Sequence, residues 1–501
     1  MFFYYFTVYK NQFLLSIYNH WKELSFLFCI ILAFALYTLD ADFHSWDEFT
    51  FWGIISKELL VNHIFENQLL PTAILDAHAH YPRGPALYHY FMLLLPGYSE
   101  GGALLAHFLL HIIFIAPLMG NKNWYHTFFI VAVLFAIVML YTTGLRAIYN
   151  DSTTGLMFAS CFAIYFFESN KSKALILILP ILICLPIFRE IGLVLALITA
   201  LVFIVISYKS VNYIQTIPVY AAMFVMPFLS QYLWFCHFGE THDFFGRKEH
   251  SLVNLLILID SFNDQTQLII VNYTKSILKF LVKEGSIAVY ILSIIAWVGT
   301  KKYRPILLKQ WYLIFFTLTI GFVLFAIWRL YLYFFAFSPA EAIKAASLLR
   351  YCGTYWLVFA VIACCYIKKS IFESQSTKAE IITLIILAII ASTTVIINIT
   401  RIKSNLAIEQ SVYNTYVKYT KQLIVQGIEV RFDFNNKKDA MDCYKLNYKL
   451  APNFKKEELT RCLNTEQNFI KDAANITDVI LPDVSNSNIN ITYFPFLHRI
   501  E

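Results

Sequence analysis

Charge is what this sequence has least of. Only 14% of its 501 residues are Asp, Glu, Lys or Arg, whereas 58% are hydrophobic. A water-soluble chain of this length needs roughly a quarter of its residues charged to cover its surface, so a soluble globular protein is excluded. The nine cysteines make no zinc-binding pattern. Cys29, Cys161, Cys184, Cys364 and Cys365 fall inside apolar runs, where the thiol behaves as a small buried hydrophobe. The tandem Cys364-Cys365 beside a basic flank leaves acylation open as an alternative. No Walker or Rossmann glycine motif is present, which argues against chemistry driven by a bound nucleotide. No internal repeat is visible, which weighs against transporters built from inverted repeats. No small-residue cleavage site follows the first apolar run, so that run is expected to stay as an anchor.

What fills the chain instead is a series of apolar runs, with 46 Phe and 32 Tyr suited to helix ends at a membrane interface. Runs near the length of a membrane helix, about 20 residues, lie at 24–39, 101–119, 126–145, 153–168, 174–188, 192–207, 213–235, 286–300, 309–330, 350–367 and 380–398. The run at 85–96 is shorter and begins at a proline, so it reads as a re-entrant or interfacial helix. Lysine placement supports this division. With a cytoplasmic amino terminus, eleven crossings collect Lys122, Lys171, Lys173, Lys209, Lys301, Lys302, Arg304, Lys368, Lys369 and Lys378 on one side, as the positive-inside rule requires. The expected fold is therefore an all-α polytopic membrane protein of about eleven transmembrane helices, with interfacial helices in the first outer loop. The domain expectation is a transmembrane unit over 1–399 and an extracytoplasmic α/β domain over 400–501, with a helix at 404–425 and strands at 428–434 and 479–481. Cys443 and Cys462 in that tail are open to forming a disulfide in an oxidising compartment.

The outer segments carry the chemistry. The first, at about 40–100, opens with Asp40, Asp42, Asp47 and Glu48. Ser45 and Glu48 fit a capping box, and the following helix shows Trp52, Ile55, Leu59 and Phe65 on one face, as in a helix lying on the membrane surface. Asp47 falls in the first turn, where the helix dipole favours a negative charge and a carboxylate suits a general base. Downstream, Asp76, His78 and His80 alternate and offer a weak divalent-metal pattern. Pro82 and Pro85 start the short helix, and Arg83 stands at its entrance, where a guanidinium suits a phosphate or snorkels toward headgroups. The remaining outer segments hold Arg146 with Asp151, Arg189 with Glu190, a loop at 236–285 containing His237 and Arg247, and Arg350 with Tyr351. Near-membrane charges are costly and are usually functional or paired.

In these residues the sequence resembles the GT-C superfamily of membrane glycosyltransferases, which includes protein O-mannosyltransferases and lipid A aminoarabinose transferases. Asp47-Glu48 resembles the acidic pair that opens the first outer loop in that superfamily. His80-Tyr81-Pro82-Arg83-Gly84-Pro85 resembles its Pro-containing segment, and Tyr149-Asn150-Asp151 a second acidic position. The likeness covers mainly 24–200. It departs where the superfamily's Lys-Pro-Pro is here Tyr81-Pro82-Arg83, and Asp40-x-Asp42 competes with Asp47-Glu48 for the catalytic role. The resemblance implies an inverting transfer of a sugar from a polyprenyl-phosphate donor to a hydroxyl on a lipid, glycan or protein, at the outer face of the cell's inner (plasma) membrane. Asp47 would be the catalytic base, with Glu48 and Asp151 as further acids at the site, Asp151 in an orienting or metal-linked role. His80, Tyr81, Arg83, Arg189, Glu190, Arg350 and Tyr351 would contact substrate. A divalent metal is possible, and no nucleic-acid partner is expected. Two rivals remain at this point: a transporter or flippase for a lipid-linked glycan, and a non-catalytic scaffold whose outer tail binds a partner.

Overall fold

The computed structural model describes residues 2–43, 47–63, 82–119, 123–141, 145–207, 213–238, 264–335, 337, 339–374, 376–402, 431–432 and 461–462. The chain is an all-α, multi-pass membrane protein. It divides into two units by contact, one of residues 1–39, 80–85 and 104–398, the other of residues 40–79, 86–103 and 399–501.

Helices fall in both units, most of them in the first. In chain order the helices are α1 (Phe2–Thr38), α2 (Gly53–Asn62), α3 (Gly84–Leu93), α4 (Glu100–Ile115), α5 (Trp124–Tyr141), α6 (Asn150–Phe167), α7 (Lys171–Phe188) and α8 (Gly192–Ser207). They continue as α9 (Tyr213–Phe238), α10 (Asp264–Leu281), α11 (Glu284–Tyr303), α12 (Leu308–Phe335), α13 (Pro339–Lys344), α14 (Leu348–Ile367) and α15 (Thr377–Ile402). Among the described residues, eight helices are long and apolar enough to cross a membrane, and the α10–α11 pair, bent by 50°, makes up to nine. The apolar run at 192–207 forms the shorter helix α8. The run at 153–168 forms α6, whose first turn, Asn150-Asp151-Ser152-Thr153-Thr154, is polar. The expected count of eleven therefore exceeds what length and composition alone support.

Burial sorts the bundle into centre and rim. In α14 89% of the apolar window is buried, against 17% in α1 and in α15, so α14 is central and the other two present their sides to lipid. Helix α6 is buried over most of its length and packs on α14 more extensively than any other pair of helices does. Gly155 permits this, because a Cβ there would overlap the Thr354 carbonyl. Close backbone approach at small residues is the usual basis of helix packing in lipid, where apolar burial gives no preference for helix over lipid.

The two ends of the bundle differ chemically. At one end Lys368 donates to the carbonyls of Leu118 (3.0 Å) and Met119 (2.7 Å), satisfying acceptors left over where α4 terminates. At that same end His126 bonds Glu380 at 2.9 Å, Thr127 donates to Glu23, and Tyr303 donates to Ser376. The other end collects the α6 and α14 amino termini with the α7 and α12 carboxyl termini, and it holds the arginines treated below. Lys122 and Lys209 lie outside the described residues.

Two expectations change. The 236–285 loop contains a helix, α10, with Thr266, Ile269, Tyr273 and Phe280 buried along one side. Its Tyr273 hydroxyl donates to the Ala326 carbonyl (2.6 Å) and its Asn272 amide to that of Ile343 (2.8 Å), so a stretch too polar to read as a span is fixed by tertiary hydrogen bonds. The helix after Asp47 is not half-exposed, since every residue from Phe51 to Leu59 is buried, including Lys57 and Glu58. The capping residue expected at Ser45 lies outside the described residues, and Asp47 precedes a π-helical turn, Glu48–Trp52, without capping it through its side chain.

The second unit contains this turn, α2 and most of α3. The Tyr98 hydroxyl donates to the Gly53 carbonyl at 3.2 Å, and Phe43 N–H donates to Glu100. Ser56 donates to the Trp52 carbonyl, so the 3.1 Å contact from Ser56 to His89 is made by the imidazole Nδ1–H donating to the hydroxyl. In the tail, Arg431–Phe432 pairs in parallel with Arg461–Cys462. The first pair falls in the expected strand at 428–434, whereas the second was not expected as strand. The helix at 404–425, the strand at 479–481 and the Cys443–Cys462 pairing lie outside the described residues or side chains, so the α/β character of the tail rests on sequence alone.

Candidate functional site

The site grows from the polar first turn of α6. Tyr149 precedes the helix in extended conformation, and Asp151 enters its first turn, where the positive end of the helix dipole favours a carboxylate. Asp151 is 1% exposed. Such a buried charge requires partners, and it has two: Arg189 Nη2 at 3.3 Å from Oδ1, and Arg350 Nε at 3.1 Å from Oδ2.

Each arginine arrives for a local reason. Arg189 ends α7, in extended backbone, and Gly192 closes the turn to α8 so tightly that a Cβ would overlap the Leu185 carbonyl. A cation at a helix carboxyl terminus suits the dipole. Arg350 sits in the first turn of α14, where the dipole opposes a cation, and Asp151 offsets that. The turn before α14 is unusual: Ala345 (φ 47°) and Ser347 (φ 61°) both lie in the left-handed region that favours glycine. The buried Tyr333 hydroxyl donates to the Ala346 carbonyl between them.

Tyr351 organises the cluster. Its ring has the Arg329 guanidinium at 4.0 Å, that of Arg350 at 5.4 Å and that of Arg189 at 5.7 Å. Arg350 also lies 4.6 Å over the Tyr149 ring. Arg83 is buried, and the next residue, Gly84, packs against the last turn of α7, where a Cβ would stand 2.7 Å from the Ile187 carbonyl and 3.0 Å from the Phe188 ring. Glu190, in the α7–α8 turn, is half-buried.

A second layer holds the Asp151 turn. His111 Nδ1 stands 3.0 Å from the His107 carbonyl, which only accepts, so Nδ1 carries the proton and Nε2 accepts from Ser152 at 2.8 Å. His107 Nε2 reaches the Tyr149 carbonyl (3.2 Å) and the Thr153 hydroxyl (2.8 Å). Both histidines are fully buried in α4.

Of the residues expected at a site, Asp151, Arg189, Arg350 and Tyr351 meet directly, with Arg83 and Glu190 on adjoining segments. Asp47, half-buried, and Glu48, fully buried, belong to the other unit. His80, Tyr81, Asp76 and His78 lie outside the described residues. Among the described residues no three His, Cys, Asp or Glu side chains come together as metal ligands. Sequence reasoning missed Arg329, although an arginine inside the 309–330 run was itself a signal of function or pairing. It also missed His107 and His111, whose polar partners only the fold supplies. No protein-family profile, curated protein or solved structure matches the chain.

Proposed function

We propose that this protein is a polyprenyl-phosphate-dependent glycosyltransferase of GT-C type, with the donor phosphate held at the arginine cluster around Asp151 and Tyr351. The observation that carries the reading is the gathering of guanidiniums, Arg329 buried and Arg189 and Arg350 partly so, at one end of an apolar bundle. Arginine's planar fork matches phosphate oxygens, and a lipid phosphate is the anion that a membrane delivers to such a place. In this reading the chain crosses the plasma membrane eleven times, the arginine end faces the outer side, and the tail forms an extracytoplasmic α/β module.

The reaction is one displacement. An acceptor hydroxyl oxygen attacks the anomeric carbon, the bond from that carbon to the phosphate oxygen breaks, and polyprenyl phosphate leaves with the electron pair. The hydroxyl proton passes to a carboxylate. Asp47 carries that role on sequence grounds, and Asp151, already committed to two arginines, acts by positioning them. The arginines stabilise charge on the departing phosphate, and such electrostatic stabilisation is the main contribution proteins make to reactions of this type.

The test is donor turnover in proteoliposomes supplied with labelled polyprenyl-phosphate sugars and a membrane extract as acceptor. Wild-type protein should release polyprenyl phosphate, and Asp47→Asn should lower the rate by about 10²–10⁴-fold. Undiminished turnover in Asp47→Asn would remove Asp47 from the mechanism. Movement of intact donor across sealed vesicles without sugar release would replace the enzyme by a flippase.

A further inference from the structure

At the end of the bundle opposite the arginines, the junction of α11 and α12 carries cations and no acid. Lys301, Lys302, Arg304 and Lys309 are all exposed there, and the chain has no Asp or Glu from 285 to 340. None of the four makes an ion pair among the described residues. Lys301 and Lys309 are eight residues apart across the turn, and one hydrogen bond draws their helix faces together. Trp297 of α11 donates from Nε1 to the Tyr312 hydroxyl of α12 at 2.8 Å. Lys301, one helical turn beyond Trp297, lies 5.2 Å over the indole ring. Lys309 stands one turn before Tyr312 on the same face of α12. The Tyr312 oxygen accepts from Trp297, and its own proton has no acceptor among the described residues. Lys309, Tyr312, Leu313 and Phe316 line an open groove of about 430 Å³. Exposed apolar side chains continue its line at Ile320 and Val323. From Lys309 to Val323 the helix rises about 21 Å, more than the roughly 15 Å half-thickness of a membrane's hydrocarbon core. A single lysine near a helix end serves by snorkelling to the headgroups. Here two lysines, a hydroxyl donor and an apolar groove of leaflet length share one face.

We propose that the junction of α11 and α12 is a binding site for one anionic phospholipid. Lys301 and Lys309 hold the headgroup phosphate, the Tyr312 hydroxyl donates to a phosphate oxygen, and an acyl chain lies along the α12 groove. Charge decides the class of lipid. Cations clustered at the end of a span attract lipids of net negative charge, by about a factor of five for each cation near the headgroup. A zwitterionic lipid brings its own cation into the same field and loses that gain. The site lies at the end of the bundle away from the arginine cluster and is independent of the reaction proposed there.

The experiment is native mass spectrometry of the full-length protein in detergent, titrated with phosphatidylglycerol or with phosphatidylcholine of the same acyl chains. Wild type should bind one phosphatidylglycerol on the order of thirtyfold more tightly than phosphatidylcholine, the gain expected from two lysines. Lys301→Gln/Lys309→Gln should lose that preference, and Tyr312→Phe should weaken phosphatidylglycerol binding because a donor to a charged oxygen is gone. Removing two exposed lysines elsewhere, Lys275→Gln/Lys279→Gln in α10, should leave the preference intact. Dihexanoyl phosphatidylglycerol, with the same headgroup and short chains, should bind more weakly than the long-chain lipid. Equal wild-type affinity for the two headgroups would overturn the proposal. So would a preference that survives in Lys301→Gln/Lys309→Gln, one that falls as much in the α10 control, unchanged binding in Tyr312→Phe, or equal binding of the short-chain lipid. If the double variant does not fold, Lys309→Gln decides by the same criterion, with an expected loss of about fivefold.

Discussion

Replacing Asp151 by Asn keeps the shape of the side chain and removes the one carboxylate that Arg189 and Arg350 share. The residue is 1% exposed, and the two arginine side chains are 14% and 16% exposed, so little water is at hand to replace the lost charge. Removing one partner of a buried ion pair costs about 3–5 kcal/mol, most of it the penalty of leaving the other charge uncompensated. The residual exposure of the arginines places Asp151→Asn near the lower end, about 3 kcal/mol. The single arginine variants should cost less, because Asp151 keeps one guanidinium in each. The double variant Asp151→Asn/Arg350→Met should be milder than the sum of its parts, because the two side chains form one ion pair and the second change removes a cation whose carboxylate the first has taken away. Thermal unfolding of purified protein in one detergent, for the four proteins of the cycle, reads this directly. The Asp151→Asn variant should melt about 3 °C below wild type. High salt should change the difference little, since buried pairs are weakly screened. If Asp151→Asn melted with wild type, or if the two changes were additive, the carboxylate would not be holding the arginines, and the electrostatic account of the site would fail.

The left-handed turn before α14 predicts that Ser347→Gly raises stability slightly. A non-glycine residue there costs about 1–2 kcal/mol, and the greater unfolded freedom of glycine returns about 0.5–1 kcal/mol. A fall in melting temperature would show that the strain is absent. At the α6–α14 contact, Gly155→Val should cost at least about 3 kcal/mol or abolish expression as folded protein, because the new side chain meets the Thr354 backbone and Leu357; a monodisperse, wild-type-like elution and melt would refute the packing. In the second unit, burial lowers the His89 pKa to about 3, so the folded protein keeps this imidazole neutral where the unfolded chain binds a proton. Its contribution is therefore complete above pH 6.5 and declines by about 1.4 kcal/mol per unit as pH falls toward 3. The melting temperature of His89→Gln should fall less than that of wild type between pH 7.5 and 5, and parallel slopes would exclude His89 as the cause.

The helices were largely legible before any coordinates. Over the described residues each apolar run forms a helix for most of its length, because lipid leaves a spanning backbone few options and the signal, a stretch of apolar residues, is local. What misled was locality itself: α10 is amphipathic and fixed by bonds to the Ala326 and Ile343 carbonyls, and the helix after Asp47 is buried as far as Leu59 although it carries Lys57 and Glu58. At the site, the expected direction of each crossing, read from lysine placement, grouped Asp151, Arg189 and Arg350, and these three side chains do meet. It said nothing of which of these charges touch.

Contact was decided by packing. Gly155 brings α6 against α14, and the tight turn at Gly192 with the left-handed turn at Ser347 delivers two arginines to one carboxylate. The same packing puts Arg329 over an aromatic face, with no acid in ion-pair contact among the described residues. Sequence determined that most charges would sit toward the ends of the bundle, because desolvation makes its apolar middle costly for them. Tertiary structure decided which cation each anion neutralises and which is left over, because that depends on ångström-scale distances between segments far apart in the chain.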